Sequence, residues 1–155
     1  MEIRKAEPSD YKIIQSLRRK LLTYQHKINP IKELTEKKLK SSDELVKTYL
    51  NRSYSMMYLA FINNKCVGFI HGTIDPKPTS NITGYLQDFY VEESFRGQGI
   101  GSKLLSTLHE YFKKHDVLWG LTADILNKKT IEFYIHRGYK LVKEENKVGY
   151  YVIVK

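Results

Sequence analysis

The sequence predicts an α+β domain, on three observations. Paired apolar runs separated by short polar turns, 57–62 with 66–70 and 140–142 with 150–154, read as β-hairpins. Other stretches, 13–22 and 104–112, space apolar residues at helical intervals. Between the hairpins, 86–91 runs as a strand into a glycine-rich turn and on into a helix. At 155 residues, with no linker, repeat or low-complexity stretch, the chain 1–155 is expected to form one domain with a real core.

Taken in order, Glu2 to Ala6 alternates as a short first strand. Pro8, Ser9 and Asp10 supply a helix start, and Ile13, Ile14, Leu17, Leu21 and Leu22 give that helix an apolar face. Pro30 breaks it, and Ser41, Ser42 and Asp43 can cap a second helix in the less regular region 26–52. The hairpin 57–70 turns at Asn63, Asn64 and Lys65, and Cys66 at its second strand reads as a small buried hydrophobe. Residues 72–83, with Pro76, Pro78 and Asn81, read as a loop before the central strand. Leu104, Leu105, Leu108 and Phe112 then stripe one helix, and 117–123 is a fifth strand. Asn127 caps a helix carrying Ile131 and Ile135 on one face, with Gly138 placed to end it. The terminal strands turn near Asn146.

Arg96-Gly97-Gln98-Gly99-Ile100-Gly101 lies at the junction of strand and helix. Glycines there let backbone N–H groups converge, and the helix dipole adds partial positive charge, which suits phosphate. A Walker A loop is rejected, because Ser102-Lys103 follows Gly101 in the wrong register. A dinucleotide fingerprint is weak, because Ser102 stands where its third glycine belongs. The pattern R-x-x-G-x-G, met by Arg96, Gly99 and Gly101, fits. A second pattern, N-x(6)-Y-x(3)-G-[FY], is met by Asn127, Tyr134, Gly138 and Tyr139. With both motifs in order on the expected elements, the chain resembles the GCN5-related N-acetyltransferase (GNAT) superfamily over nearly its whole length.

That resemblance implies a three-layer α/β/α fold, with a mixed, mostly antiparallel central sheet of six to seven strands and about four helices. It implies acetyl-CoA in a cleft where the central strands diverge, and direct transfer of the acetyl group to a primary amine in a ternary complex. Arg96, Gly97, Gln98, Gly99, Gly101 and Ser102 would hold the pyrophosphate, Phe89 and Val91 would offer backbone groups to the pantetheine, and Asn127 would contact the cofactor. Tyr134 would protonate the departing thiolate. An amine with pKa about 10 must first lose a proton, so a carboxylate is the natural base. In polyamine-acetylating relatives that glutamate falls at the position of Gln87, which is no base. Asp88 is the substitute, with Glu92, Glu33, Glu93, His71 or solvent as alternatives. Alternation puts Gln87 and Asp88 on opposite faces unless a bulge intervenes. A non-catalytic acyl-CoA-binding module of the same fold is the competing expectation.

Other chemistries fail on spacing. His109-Glu110 is followed by Lys113 where a zinc helix needs histidine, so no metal is expected, and no G-x-S-x-G elbow exists. The net charge of +9 raises nucleic-acid binding, but it is spread: residues 1–50 carry twelve basic and seven acidic side chains, 51–100 four of each, and 101–155 ten and six. No nucleic-acid partner is therefore expected, and the acceptor is a small-molecule or peptide amine. With one cysteine, no apolar run near the ~20 residues of a bilayer span and a charged start, the chain reads as cytoplasmic and free of membrane. A homodimer is compatible with all of this.

Overall fold

The computed structural model describes residues 1–31 and 33–153. Among the described residues seven strands form one sheet in the order β1-β2-β3-β4-β5-β7-β6. They are β1 Glu2–Lys5, β2 Ser55–Ile62, β3 Lys65–Ile74, β4 Ile82–Val91, β5 Leu118–Asp124, β6 Tyr139–Glu145 and β7 Val148–Ile153. Every neighbouring pair is antiparallel except β4 with β5. Helices α1 Tyr11–Ile28 and α2 Glu36–Leu50 pack on one face, and α3 Ile100–Lys114 and α4 Lys128–Ile135 on the other. The expected three-layer α/β/α architecture is the one found.

Local chemistry explains most of these elements. The β2–β3 turn uses Asn63 and Asn64 at φ 47° and 63°, and the β6–β7 turn Asn146 and Lys147 at φ 51° and 63°. Two consecutive left-handed residues twist a two-residue hairpin in the sense of its strands, and asparagine tolerates that conformation best after glycine. On α3, Ile100, Leu104, Leu105, Leu108 and Phe112 are each 2% exposed or less and bury against the sheet beside Ile70 and Trp119. On α1, Ile14, Leu17 and Leu21 bury against Leu59, Phe69 and Val46.

Several expectations are corrected. Ile13 is 40% exposed, because the buried stripe of α1 runs through Ile14 rather than its neighbour. Ser41, Ser42 and Asp43 lie inside α2; its cap is Thr35, whose Oγ1 accepts the Lys38 N–H at 3.2 Å. Residues 72–74 belong to β3 and 82–83 to β4, so the loop shrinks to 75–81. On α4 Ile135 is exposed and Tyr134 is the residue that faces the core. The last strand reaches Ile153; its expected final residue, Val154, lies outside the described residues.

Two irregularities shape the centre. His71 pairs with Asp88 but Gly72 with Leu86, leaving Gln87 as a one-residue bulge in β4. The bulge inverts the alternation: Leu86, Phe89 and Val91 join the α3 side, while Asp88 and Tyr90 turn toward α1. The parallel pairing of β4 with β5 stops at Leu86 opposite Leu121, although β5 continues to Asp124 beside β7. Beyond that point the two central strands part.

Candidate functional site

The parting strands open a cavity of about 580 Å³. The glycine loop closes one end, α1 roofs it through Leu21, Tyr24 and Ile28, and α4 supplies Tyr134. Of the residues assigned from the sequence to cofactor or catalysis, all line the cavity except Gln98, whose amide instead donates to the Ser94 carbonyl at 3.3 Å.

At the loop, Gly97 and Gly99 have φ of 76° and 79°, and a Cβ at either would meet nothing within 4 Å. It is the left-handed backbone, not space, that requires glycine there. Gly99 is also the N-cap of α3 and offers no side-chain acceptor, so the first N–H groups of the helix stay open to an anion. Gly101 is different: a Cβ there would sit 3.2 Å from Phe89 Cζ, so its role is close packing. Arg96 donates from Nε to the Val91 carbonyl at 2.9 Å and lies over the rings of Tyr24 and Tyr90, at 4.5 and 5.5 Å. Its guanidinium fixes the loop to β4 and roofs it with α1. Arg137, not anticipated from the sequence, donates to the Ser102 hydroxyl and to the Phe133 carbonyl and covers the Phe133 ring at 3.5 Å, joining α4 to the start of α3. Its signal was its place between Tyr134 and Gly138.

Tyr134 is 4% exposed, with its ring 6.4 Å from Phe89 and 5.4 Å from Tyr139. Its hydroxyl makes no hydrogen bond among the described residues, and burial, reinforced by Tyr139, pushes the phenol well above its ordinary range. It therefore stays protonated, a donor waiting for an acceptor. Asn127 Oδ1 caps α4 by accepting the Thr130 N–H at 3.4 Å.

Asp88 faces the cavity from the α1 side. Its Oδ2 accepts from Arg18 Nε at 3.0 Å and lies 3.5 Å from His71 Nδ1. Burial alone would raise this carboxyl, but His71 and Arg18 outweigh it and hold it below the usual carboxylate range. Arg18 in turn donates to the Ser42 carbonyl and hydroxyl at 2.9 and 2.6 Å. Arg18 and His71, separated from Asp88 by 70 and 17 residues, carry no local motif that would pair them with it. The other carboxylates considered stand elsewhere: Lys20 at 2.6 Å, with Lys65 at 3.5 Å, lowers the Glu92 carboxyl, and Glu33 and Glu93 are exposed. Gln87 donates to Thr73 Oγ1 at 2.9 Å. Asn29, at the end of α1, donates to Asp124 Oδ2 at 2.7 Å and ties the roof to the end of β5.

The arrangement combines an anion cradle, a channel flanked by β4 backbone that β5 leaves unpaired, and a buried phenol beside it. Among the described residues no cluster of His, Cys, Asp and Glu could hold a metal ion. No described helix is long and apolar enough to cross a membrane.

The family model for the acetyltransferase (GNAT) family matches residues 18–139. An uncharacterized N-acetyltransferase of Methanocaldococcus jannaschii is 31% identical over 112 residues, 67% of this chain and 47% of that protein. The chain thus spans about half the length of that relative. Among solved structures, the PaiA N-acetyltransferase of Thermoplasma acidophilum in complex with coenzyme A superposes with a TM-score of 0.83 at 21% identity, covering 99% of this chain and 98% of that one. An acetyltransferase of Thermus thermophilus gives 0.76 at 18% identity, over 98% and 96%. At such identities the likeness is one of fold.

Proposed function

The chain belongs to the acetyltransferase (GNAT) family, and from that premise we propose that it transfers an acetyl group from acetyl-CoA to a primary amine, directly and within a ternary complex. The observation that carries this reading is one continuous cavity joining the open N–H groups of the glycine loop to the unbonded hydroxyl of Tyr134. The residues fit the cofactor. Gly97, Gly99 and the start of α3 would hold the pyrophosphate, as suits two left-handed glycines and an uncapped helix end. The backbone of β4 beyond Leu86, unpaired on its β5 side, would hold the pantetheine arm near Phe89 and Val91. Arg96, Ser102 and Asn127 line the same channel. The Thermoplasma relative was solved with coenzyme A, which supports the assignment.

Acetyl-CoA, when bound, supplies the thioester carbon that the amine attacks and the sulfur that leaves. Tyr134 holds the proton that the leaving sulfur needs, and its raised pKa keeps that proton in place until an anion forms beside it. Asp88 lines the same cavity and is the carboxylate that would meet the ammonium group of the acceptor.

The test is release of free CoA thiol across a panel of primary amines, with acetyl-CoA binding measured separately by calorimetry. Tyr134→Phe should slow turnover about a hundredfold while acetyl-CoA still binds. Unchanged turnover would remove the tyrosine from the chemistry. The second reading, a non-catalytic acyl-CoA-binding module, is favoured by Gln87 and predicts binding without acetylation of any amine.

A further inference from the structure

We propose that the acceptor is a weakly basic primary amine, one that loses its own proton to water near neutral pH. The proposal rests on the amine-acetylation reading above and names the class of amine within it.

The bulge in β4 decides what the acceptor meets. Asp88 lies against His71 and Gln87 bonds to Thr73, and His71 and Thr73, two residues apart on β3, share one face of the sheet. Gln87 and Asp88 therefore stand side by side on the α1 side, and both line the cavity. Gln87 carries an amide, which neither takes up nor releases a proton near neutrality. Asp88 is already engaged: Arg18 Nε donates to its Oδ2 at 3.0 Å, and His71 Nδ1 lies 3.5 Å from the same oxygen. Burial would raise this carboxyl, but His71 and Arg18 outweigh it and hold the group below the ordinary carboxylate range. With its charge balanced by Arg18, Asp88 can orient an amine but is a poor resting place for the amine's proton.

The other groups around the cavity do not replace it. Asp124 has both oxygens bonded, Oδ1 to the Leu126 N–H at 3.0 Å and Oδ2 to Asn29 at 2.7 Å, contacts that favour its charged form. Arg96, Lys129 and Arg137 bring positive side chains to the lining, Tyr24 and Tyr90 present their rings to Arg96, and Tyr134 keeps its proton. Glu92 is paired with Lys20 and Lys65; it, Glu33, Glu93 and the fully buried His71 stand outside the lining. Among the described residues, the lining offers no base matched to an ammonium group near neutrality.

One proton separates the two kinds of amine. The nitrogen of a neutral amine bonds to the acetyl carbon as the carbon–sulfur bond breaks; Tyr134 passes its proton to the sulfur, and the surplus proton on nitrogen returns to Tyr134 through water. Amide and thiol then leave with no net proton exchanged with solvent. An ammonium has one more proton to lose before it can attack, and the lining has nowhere to hold it. At pH 7 an amine of pKa about 10 is neutral in about one molecule in a thousand, and one of pKa about 8 in about one in ten. The cavity therefore suits α-amino groups and other weak bases better than alkylamines.

The test is the pH dependence of CoA release with two probes, ethylamine and glycinamide, the second an α-amino group of pKa about 8. For ethylamine, kcat/KM should climb about tenfold per pH unit from pH 6 to pH 9, following its neutral fraction. For glycinamide it should climb and then level near pH 8, where that amine itself titrates. At pH 7 glycinamide should lead by about tenfold, its hundredfold advantage in neutral fraction being partly offset by weaker nucleophilicity. A profile for ethylamine that is flat, or that levels at the same pH as glycinamide, reports a base on the enzyme and overturns the proposal. So does equal turnover of the two at pH 7. Asp88→Asn should lower kcat/KM for both amines by the same factor at every pH; a loss confined to ethylamine that fades as pH rises makes Asp88 the base and overturns the proposal as well. Acetyl-CoA binding without CoA release for either amine would instead remove the acetylation reading on which the class rests.

Discussion

The two faces of the sheet are built by different means. Toward α3 and α4 the core is apolar and aromatic, with one polar junction where Trp119 Nε1 and His109 Nε2 meet the Tyr139 hydroxyl at 3.2 and 2.7 Å, besides the buried phenol of Tyr134. Toward α1 and α2 the apolar cluster is smaller and is bordered by charge pairs: Arg18 with Asp88, Arg4 with Asp10 and Arg19 with Asp43. One face is held by spacing along a helix, the other by charge pairs that reach from six to seventy residues along the chain. The first carries the cofactor machinery of the proposed function, the second the proposed acceptor-side chemistry.

The comparison breaks most sharply at Arg18. Arg18→Met leaves the Asp88 carboxylate buried without its cation, and removing one partner of such a pair costs about 3–5 kcal/mol. Urea denaturation should show that loss, and the double variant Arg18→Met/Asp88→Leu should recover most of it. A cost below about 1 kcal/mol for the single change would mean that this face tolerates charge like a surface. On the opposite face, Leu108→Ala empties a site that is 0% exposed and should cost about 3 kcal/mol. No second substitution at a charged position should rescue it. The smallest effect is one of pH. Burial, with Lys113 adding to it, lowers the His109 pKa from 6.5 to about 4. Between those values the unfolded chain binds a proton that the folded one refuses, so stability is full above pH 6.5 and falls as pH drops toward 4. The loss should be about 2 kcal/mol, after allowing for the ring's partial exposure. Denaturation at pH 7 and pH 4.5 measures it, and His109→Phe should flatten the slope.

The same contrast explains what was legible in the sequence. The glycine loop, the α3 stripe, the Asn127 cap and the two hairpin turns are local patterns, and each stands where the spacing put it. The α1–α2 face was read less well. Ile13 was assigned inward and Ser41 to Asp43 to a cap, because amphipathic spacing leaves the rotation of a helix open when charged residues also bury. A period of two carried through 86–88 puts Asp88 on the face of Leu86, and only the cross-strand register reveals the extra residue that separates them. Arg18, and the partners of His71 and Arg137, were beyond reach for a related reason: each pairing joins residues that no short window contains.

The single parallel seam among the described residues, four register pairs from Ile82 with Leu118 to Leu86 with Leu121, has a topological consequence. Strands β1 to β4 and β5 to β7 each form an antiparallel block, and both blocks contain a hairpin closed by a two-residue turn. The seam joins the blocks, and because a parallel pair needs a crossover between its strands, α3 spans it. The pairing that completes the sheet therefore ends where the channel begins.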